Sequence, residues 1–163
     1  MIKKSGFDED LGILSIDLDG IDYFILEAIN YFKPRILICE YNAVFGPIRK
    51  ITIPYKSDFN STNAHHSNLY GGASLAAMTY LANKKGYLLV GTNSASNNAF
   101  YVRKDLINEK LEALSAKQAY IPSNFRESRD QHGNLTYVAA ENRLEVIKDM
   151  PIFEVEKKVI EKL

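Results

Sequence analysis

The chain is poor in the features that would classify it at once. Among its 163 residues there is one cysteine, Cys39, and no tryptophan. A lone thiol excludes an internal disulfide framework, and its place inside an apolar run marks a buried, unreactive side chain. No stretch approaches the roughly 20 apolar residues of a membrane-spanning helix. The opening Met1-Ile-Lys-Lys-Ser-Gly-Phe-Asp lacks the apolar centre of a secretory signal, so a cytoplasmic setting is expected. An excess of one charge is absent too, because twenty basic and twenty acidic residues cancel. No net field therefore favours nucleic acid or an anionic membrane as a partner. Neither an internal repeat nor a low-complexity segment occurs.

What is present is the composition of a globular protein, 46% apolar and 25% charged, in a chain long enough to bury roughly two-thirds of its unfolded surface. Gly12 to Ile16 and Arg35 to Glu40 are short apolar runs with the look of buried strands. Between them Tyr23, Phe24, Leu26, Ile29 and Phe32 recur with helical period, Asp22 is suited to the N-cap, and Pro34 stops the helix. Strand, helix and strand with short joints form a βαβ unit, which makes the two strands parallel. Ser74 to Lys85 is a helix with one apolar stripe, closed by Gly86. Tyr87 to Gly91 and Ala99 to Val102 are further strands, joined by a linker too short for a crossover helix and hence antiparallel. Asp105 to Lys117 reads as another helix, Lys50 to Pro54 as a weak edge strand, and Leu135 to Ala139 as a short strand. The long polar stretch from Tyr41 to Gly72 suggests a lid, a binding loop or a partner contact.

The chemistry concentrates where the first two strands end. Leu14-Ser-Ile-Asp17-Leu-Asp19-Gly20 and Ile36-Leu-Ile-Cys-Glu40-Tyr-Asn42 are apolar runs that stop at acidic and amide side chains. Ligands of open α/β sheets bind beyond the carboxyl ends of the strands, so Asp17, Asp19, Glu40 and Asn42 are expected to share one crevice. Asp17 and Asp19 would project together if the strand continued through them. Oxygen donors of this kind suit Mg²⁺ or Ca²⁺ better than zinc, with Asp17, Glu40 and Asn42 as the candidate ligands. The plainer readings are that Asp19-Gly20 is turn chemistry and that Glu40 pairs with Arg35 or Arg49. His65 and His66, in the long polar stretch, are candidates for a general base, against the commoner case of solvated loop histidines. His132 belongs to a turn. Gly71-Gly72 could offer amides to an anion but lacks the spacing of a phosphate loop.

Ile16-Asp17-Leu18-Asp19-Gly20 resembles the first motif of haloacid-dehalogenase-type phosphatases, but no later Gly-Asp-x-x-x-Asp motif completes that metal site. A broader resemblance covers nearly the whole chain. Leu14 to Tyr23, Pro34-Arg-Ile-Leu-Ile-Cys-Glu-Tyr-Asn-Ala-Val-Phe-Gly-Pro47, Gly72-Ala-Ser-Leu75 and Gly91-Thr-Asn-Ser-Ala-Ser-Asn-Asn-Ala-Phe100 resemble, in that order, the C-terminal half of FkbM-like, SAM-dependent methyltransferases. Arg126-Glu-Ser-Arg-Asp130 and Gly133-Asn-Leu-Thr136 are similar to the tail of a bacterial branch.

The resemblance implies an α/β fold: a Rossmann-like methyltransferase half-sheet with parallel strands, a C-terminal antiparallel hairpin and helices on the faces. Its strands would be the fourth to seventh of the family sheet. Residues 1–117 would form this partial domain and residues 118–163 an extension packed on it. It also implies an acceptor-side half that methylates a sugar or small hydroxylated acceptor, inactive alone. Asp17, His65 and His66 would be catalytic, while Asp19, Glu40 and Asn42 would bind substrate. In such enzymes S-adenosylmethionine is held chiefly by an N-terminal half with a Gly-rich turn and a second-strand acid. That half has no counterpart here, so the donor is expected to bind the intact enzyme and not this chain alone. Mg²⁺ at Asp17, Glu40 and Asn42 would lower the pKa of the acceptor hydroxyl. The uncovered half-sheet is expected to form a homodimer or to pair with an N-terminal-half partner chain. The alternative is a non-catalytic assembly or interaction subunit with a degenerate methyltransferase fold.

Overall fold

The structure is a computed structural model, and it describes Lys4 and residues 6–123, 127–139 and 142–163. Arg126 of the tail resemblance lies outside the described residues. The first sheet holds β1 (Ile13–Ile16), β2 (Ile36–Glu40), β4 (Tyr87–Thr92) and β5 (Asn98–Arg103), in the order β1-β2-β5-β4. β1 and β2 are parallel, with Ile16 opposite Cys39. β5 lies antiparallel between β2 and β4. Two successive reversals make β4 run in the same direction as β1 and β2. The expected βαβ unit and hairpin are both present. A register shift between Leu89 and Gly91 bends the hairpin.

Three helices cover this sheet: α1 (Asp22–Ala28), α3 (Leu75–Lys84) and α4 (Ala116–Ala119). They share one face, since α3 touches both α1 and α4. Alternate strand residues Ile16, Leu37, Cys39, Leu89, Ala99 and Tyr101 meet them in a single buried core. Helices on both faces were expected, but the other face carries none of the three. Ile13 is 59% exposed there and its neighbour across the strands, Ile36, is 37% exposed.

The polar stretch after β2 is not a lid. Ile51, Ile53 and Leu69 within it are fully buried, and they form a second core with Ile147 and Ile152 from the tail. β3 (Ile51–Thr52), β6 (Pro151–Glu154) and β7 (Val159–Lys162) make a separate antiparallel sheet in the order β3-β6-β7. The weak edge strand of the sequence is thus a buried one, because Thr52 also bridges to Ala73. Two short helices, α2 (Ser61–Ala64) and α5 (Asn142–Val146), complete the fold. Ser74 couples the sheets: its hydroxyl donates to Arg49 O and accepts from Ala77 N, capping α3 beside β3.

Three element boundaries depart from expectation. α1 stops at Ala28 instead of reaching Phe32, because Lys85 Nζ donates to Glu27 O and Ile29 O at 3.0 and 2.8 Å and ends the helix from outside. The helix expected over Asp105 to Lys117 is absent. Only a 3₁₀ turn at Lys104–Leu106 and α4 form there, and Leu114 N between them donates to Leu89 O at the hairpin bulge. Leu135 makes a single bridge to Arg129, and no strand runs from Leu135 to Ala139.

One close approach fixes how the loop after β1 meets the rest. A Cβ at Gly20 would lie 2.3 Å from Phe59 Cδ1, so only glycine lets that ring seat against the loop. Gly20→Ala is expected to destabilise the chain by about 1–3 kcal/mol, the usual range for overpacking. Urea unfolding measures this, and an unchanged midpoint would mean that the ring moves aside at no cost.

Candidate functional site

β1 ends at Ile16, before either aspartate. The chain then turns, with Asp19 in the left-handed region at φ 55°. The shared projection of Asp17 and Asp19 is therefore made by a turn rather than by strand alternation. Asp22 holds this turn. As the first residue of α1 it does not cap the helix; its buried carboxylate reaches back to accept from Leu18 N at 2.8 Å and from Gly20 N at 3.0 Å.

The result brings together three of the four expected residues. One carboxylate oxygen each from Asp17, Asp19 and Glu40 lies within 4.8 Å of the others, with both aspartates exposed and Glu40 half-buried. These groups sit past the carboxyl ends of the parallel strands β1 and β2. A cleft there is lined by Asp19, Glu40, Asn42, Ser61, Gly71 and Gly72, with Tyr41. Of the arginines considered for Glu40, Arg35 pairs with Asp10 at 2.9 Å and Arg49 with Glu161 at 2.7 Å.

Asn42 borders the cleft but its polar atoms are committed to the backbone. Nδ2 donates to Leu69 O at 2.9 Å and Gly71 O at 2.8 Å, and Oδ1 accepts from Val44 N at 3.0 Å. It is a buried bracket that spends both amide hydrogens and one lone pair of its oxygen on the backbone, so its expected part as metal ligand and substrate contact rests on the remaining lone pair of Oδ1. The carbonyls of Gly71 and Gly72 accept from Asn42 Nδ2 and Thr52 Oγ1, and Gly72 takes the left-handed φ of 67° that favours glycine.

His65 and His66 do not line the cleft. Their rings stack at 4.2 Å, and His65 Nδ1 lies 2.7 Å from the buried Ser67 Oγ. Burial, with a smaller effect of His66, pushes the His65 pKa down. A structural tie to Ser67 accounts for its position. His132 sits in the expected turn, its amide donating to Asp130 Oδ1. The amide-rich joint of the hairpin closes on itself, with Asn93 Oδ1 accepting from Asn97 N and Asn98 N.

Asp22 and Ser61 are the site residues that sequence reasoning missed. Asp22 looked like a helix cap, and only its exact bonding distinguishes the two roles. Ser61, the first residue of α2, arrives from a distant part of the chain and carries no local signal. Burial pushes the Asp22 carboxyl above its ordinary value, against the pull of the Gly20 and Leu18 amides, and nearby Asp17 adds to the rise. Its stabilising contribution is thus complete below the unfolded carboxylate value of about 3.9 and is lost as pH rises through the folded value. Between pH 4 and pH 7, wild type should lose stability relative to Asp22→Asn in urea titrations; parallel profiles would refute a perturbed carboxyl.

No family model matches the chain, and no curated protein or solved structure matches it either.

Proposed function

We propose that the chain is the acceptor-side half of a SAM-dependent O-methyltransferase acting on a sugar or similar small hydroxylated acceptor. The observation that carries this reading is the convergence of Asp17, Asp19 and Glu40 beyond the ends of two adjacent parallel strands. The strand order supports it as well. A Rossmann-like methyltransferase half-sheet, as the sequence resemblance implies, would place an antiparallel hairpin beside the parallel pair, and β4 and β5 stand there.

The donor set fits a divalent cation. Oxygen ligands on opposite sides of one Mg²⁺ or Ca²⁺ ion stand about 4–5 Å apart, the scale of the separation seen here. Asp17, Asp19 and Glu40 would hold the ion, with Asn42 Oδ1, already bonded to Val44 N, bordering the same cleft. Bound there, such an ion would lower the pKa of an acceptor hydroxyl. The chain's own part is to orient that hydroxyl against the cleft and to offer a carboxylate for its proton. Asp22 keeps the acidic turn in position for both. Of the catalytic candidates, Asp17 belongs to the carboxylate cluster without lining the cleft itself, whereas His65 and His66 belong to neither.

S-adenosylmethionine would be held chiefly by a half other than the described residues. The resemblance assigns the donor to a Gly-rich turn after one strand and an acid after the next, and among the described residues the parallel pair β1 and β2 ends instead in Asp17, Asp19 and Glu40. A donor-binding half, on the same or another chain, would complete the enzyme. The second reading, a non-catalytic assembly subunit, is favoured by the open sheet face around Ile13 and Ile36. A homodimer or an N-terminal-half partner would cover that face.

Two measurements test these points. Titrating Mg²⁺ or Mn²⁺ should give saturable binding to wild type and at least about tenfold weaker binding to Asp17→Asn, the scale of a lost charged ligand. Indistinguishable curves would remove the metal. Calorimetry of the chain with S-adenosylhomocysteine should show no binding, and a sub-millimolar affinity would overturn the assignment of the donor pocket to another half.

A further inference from the structure

The geometry points to a cavity beside the acidic cleft, about 470 Å³ in volume, as a binding site for a neutral sugar ring. This rests on the acceptor reading above and names the substrate class that reading leaves broad. The volume lies in the range of small-ligand sites, about 300–1,000 Å³. Its lining divides into two kinds of surface. Tyr55, Phe59 and Tyr70 supply aromatic walls, while Asn60, Asn63 and the Lys56–Asp58 pair supply the polar groups.

The aromatic part is preorganised. Tyr70 is buried, and its hydroxyl donates to Pro151 O at 2.5 Å, which ties the wall to β6. Phe59 meets Tyr70 edge-on, with centroids 6.3 Å apart. Tyr55 is held edge-on by Phe24 at 5.2 Å yet stays 58% exposed, an unusual amount for a ring with no other evident duty. The open Tyr55 ring is a surface of the kind that takes the C–H face of a pyranose, with Phe59 and the buried Tyr70 as its backing, and the neighbouring amides take the hydroxyls.

The polar part argues against charged ligands. Lys56 and Asp58 lie 3.5 Å apart and cancel, so no unbalanced charge awaits a phosphate or carboxylate. Asn60 spends its Oδ1 on Asn63 N, but its Nδ2 makes no hydrogen bond among the described residues. The side-chain amide of Asn63 is wholly uncommitted among them. An uncommitted amide offers both donors and an acceptor, which matches a hydroxyl that does both.

Position links this cavity to the carboxylates. Asn60 lines the cavity and the next residue, Ser61, lines the acidic cleft. The Phe59 ring faces the cavity and also touches the space above Gly20 and Gly71, against the acidic turn. A sugar seated on these rings would have the carboxylate cleft as its immediate neighbour.

The test is amide-resolved NMR of the full chain titrated with methyl glucoside, methyl galactoside and methyl mannoside. At least one glycoside should give saturable shifts centred on residues 55–64 and on Tyr70. Tyr55→Ala and Asn63→Ala, both at exposed positions, should each weaken that binding about fivefold, the worth of one modest contact. Retention of the shifts in Asp17→Asn supports a sugar site separate from the carboxylates, and so does their persistence if wild type fails to bind a divalent cation, an outcome that would remove the metal alone. No saturable shift with any of the three glycosides, shifts located elsewhere, or shifts at the cavity with inorganic phosphate alone would overturn the sugar site and leave the acidic cleft standing.

Discussion

The side chain of Asn42 is the tie on which the architecture turns. It leaves the end of β2, is fully buried, and satisfies three backbone groups that belong to two different segments. Its donors close a loop of nearly thirty residues by meeting the carbonyls of Leu69 and Gly71. Without them those carbonyls would be left buried and unpaired, at about 1–3 kcal/mol each. The closure does more than stabilise. It brings Gly71, Gly72 and the Ser61 turn against the ends of β1 and β2, so the acidic groups face a walled cleft instead of open solvent.

The same tie joins two cores of different character. The first is made by the helix-covered face of the four-stranded sheet, and its residues come from alternate strand positions. The second is assembled from Val44, Phe45, Ile51, Ile53 and Leu69 together with Ile147 and Ile152 of the tail. Ser74 stands between them, capping α3 while it holds Arg49 and β3. The acidic cleft lies where these units meet, and the aromatic cavity lies beside it on the second unit, across Phe59 to Ser61. A site at such a seam inherits rigidity from each core, because the loop residues that line it are tied to both.

Much of the first sheet was legible in the chain. Short apolar runs cut by Gly20 and Pro34 mark β1 and β2, and the stripe of Leu75, Met78, Leu81 and Ala82 marks α3. The seven-residue joint between Gly91 and Ala99 requires a hairpin. The second sheet was not legible. β3 has two residues and its partner β6 lies about a hundred positions later, and no local pattern reports a pairing over that distance. The stretch after Arg103 misled for the opposite reason. Its composition favours helix, but the Leu89 carbonyl exposed by the hairpin bulge takes the amide of Leu114, and tertiary bonding overrides the weak local preference.

At the site, residue types were readable and roles were not. Acids after apolar runs pointed to Asp17, Asp19 and Glu40, since strand ends with charged groups must face water or a ligand. Asn42 and Asp22 carry the same signal, yet both are spent on backbone amides and carbonyls. The chain by itself determined the strands of the first sheet, the crossover, the hairpin and the acidic strand ends, because each depends on spacing within a few residues. Only the tertiary structure decided which polar side chains became brackets and which stayed at the cleft, that the helices gather on one face, and that Tyr55, Phe59 and Tyr70 enclose a cavity. Those outcomes depend on contacts between segments far apart in the chain, where burial and hydrogen-bond satisfaction, not local pattern, settle what each residue does.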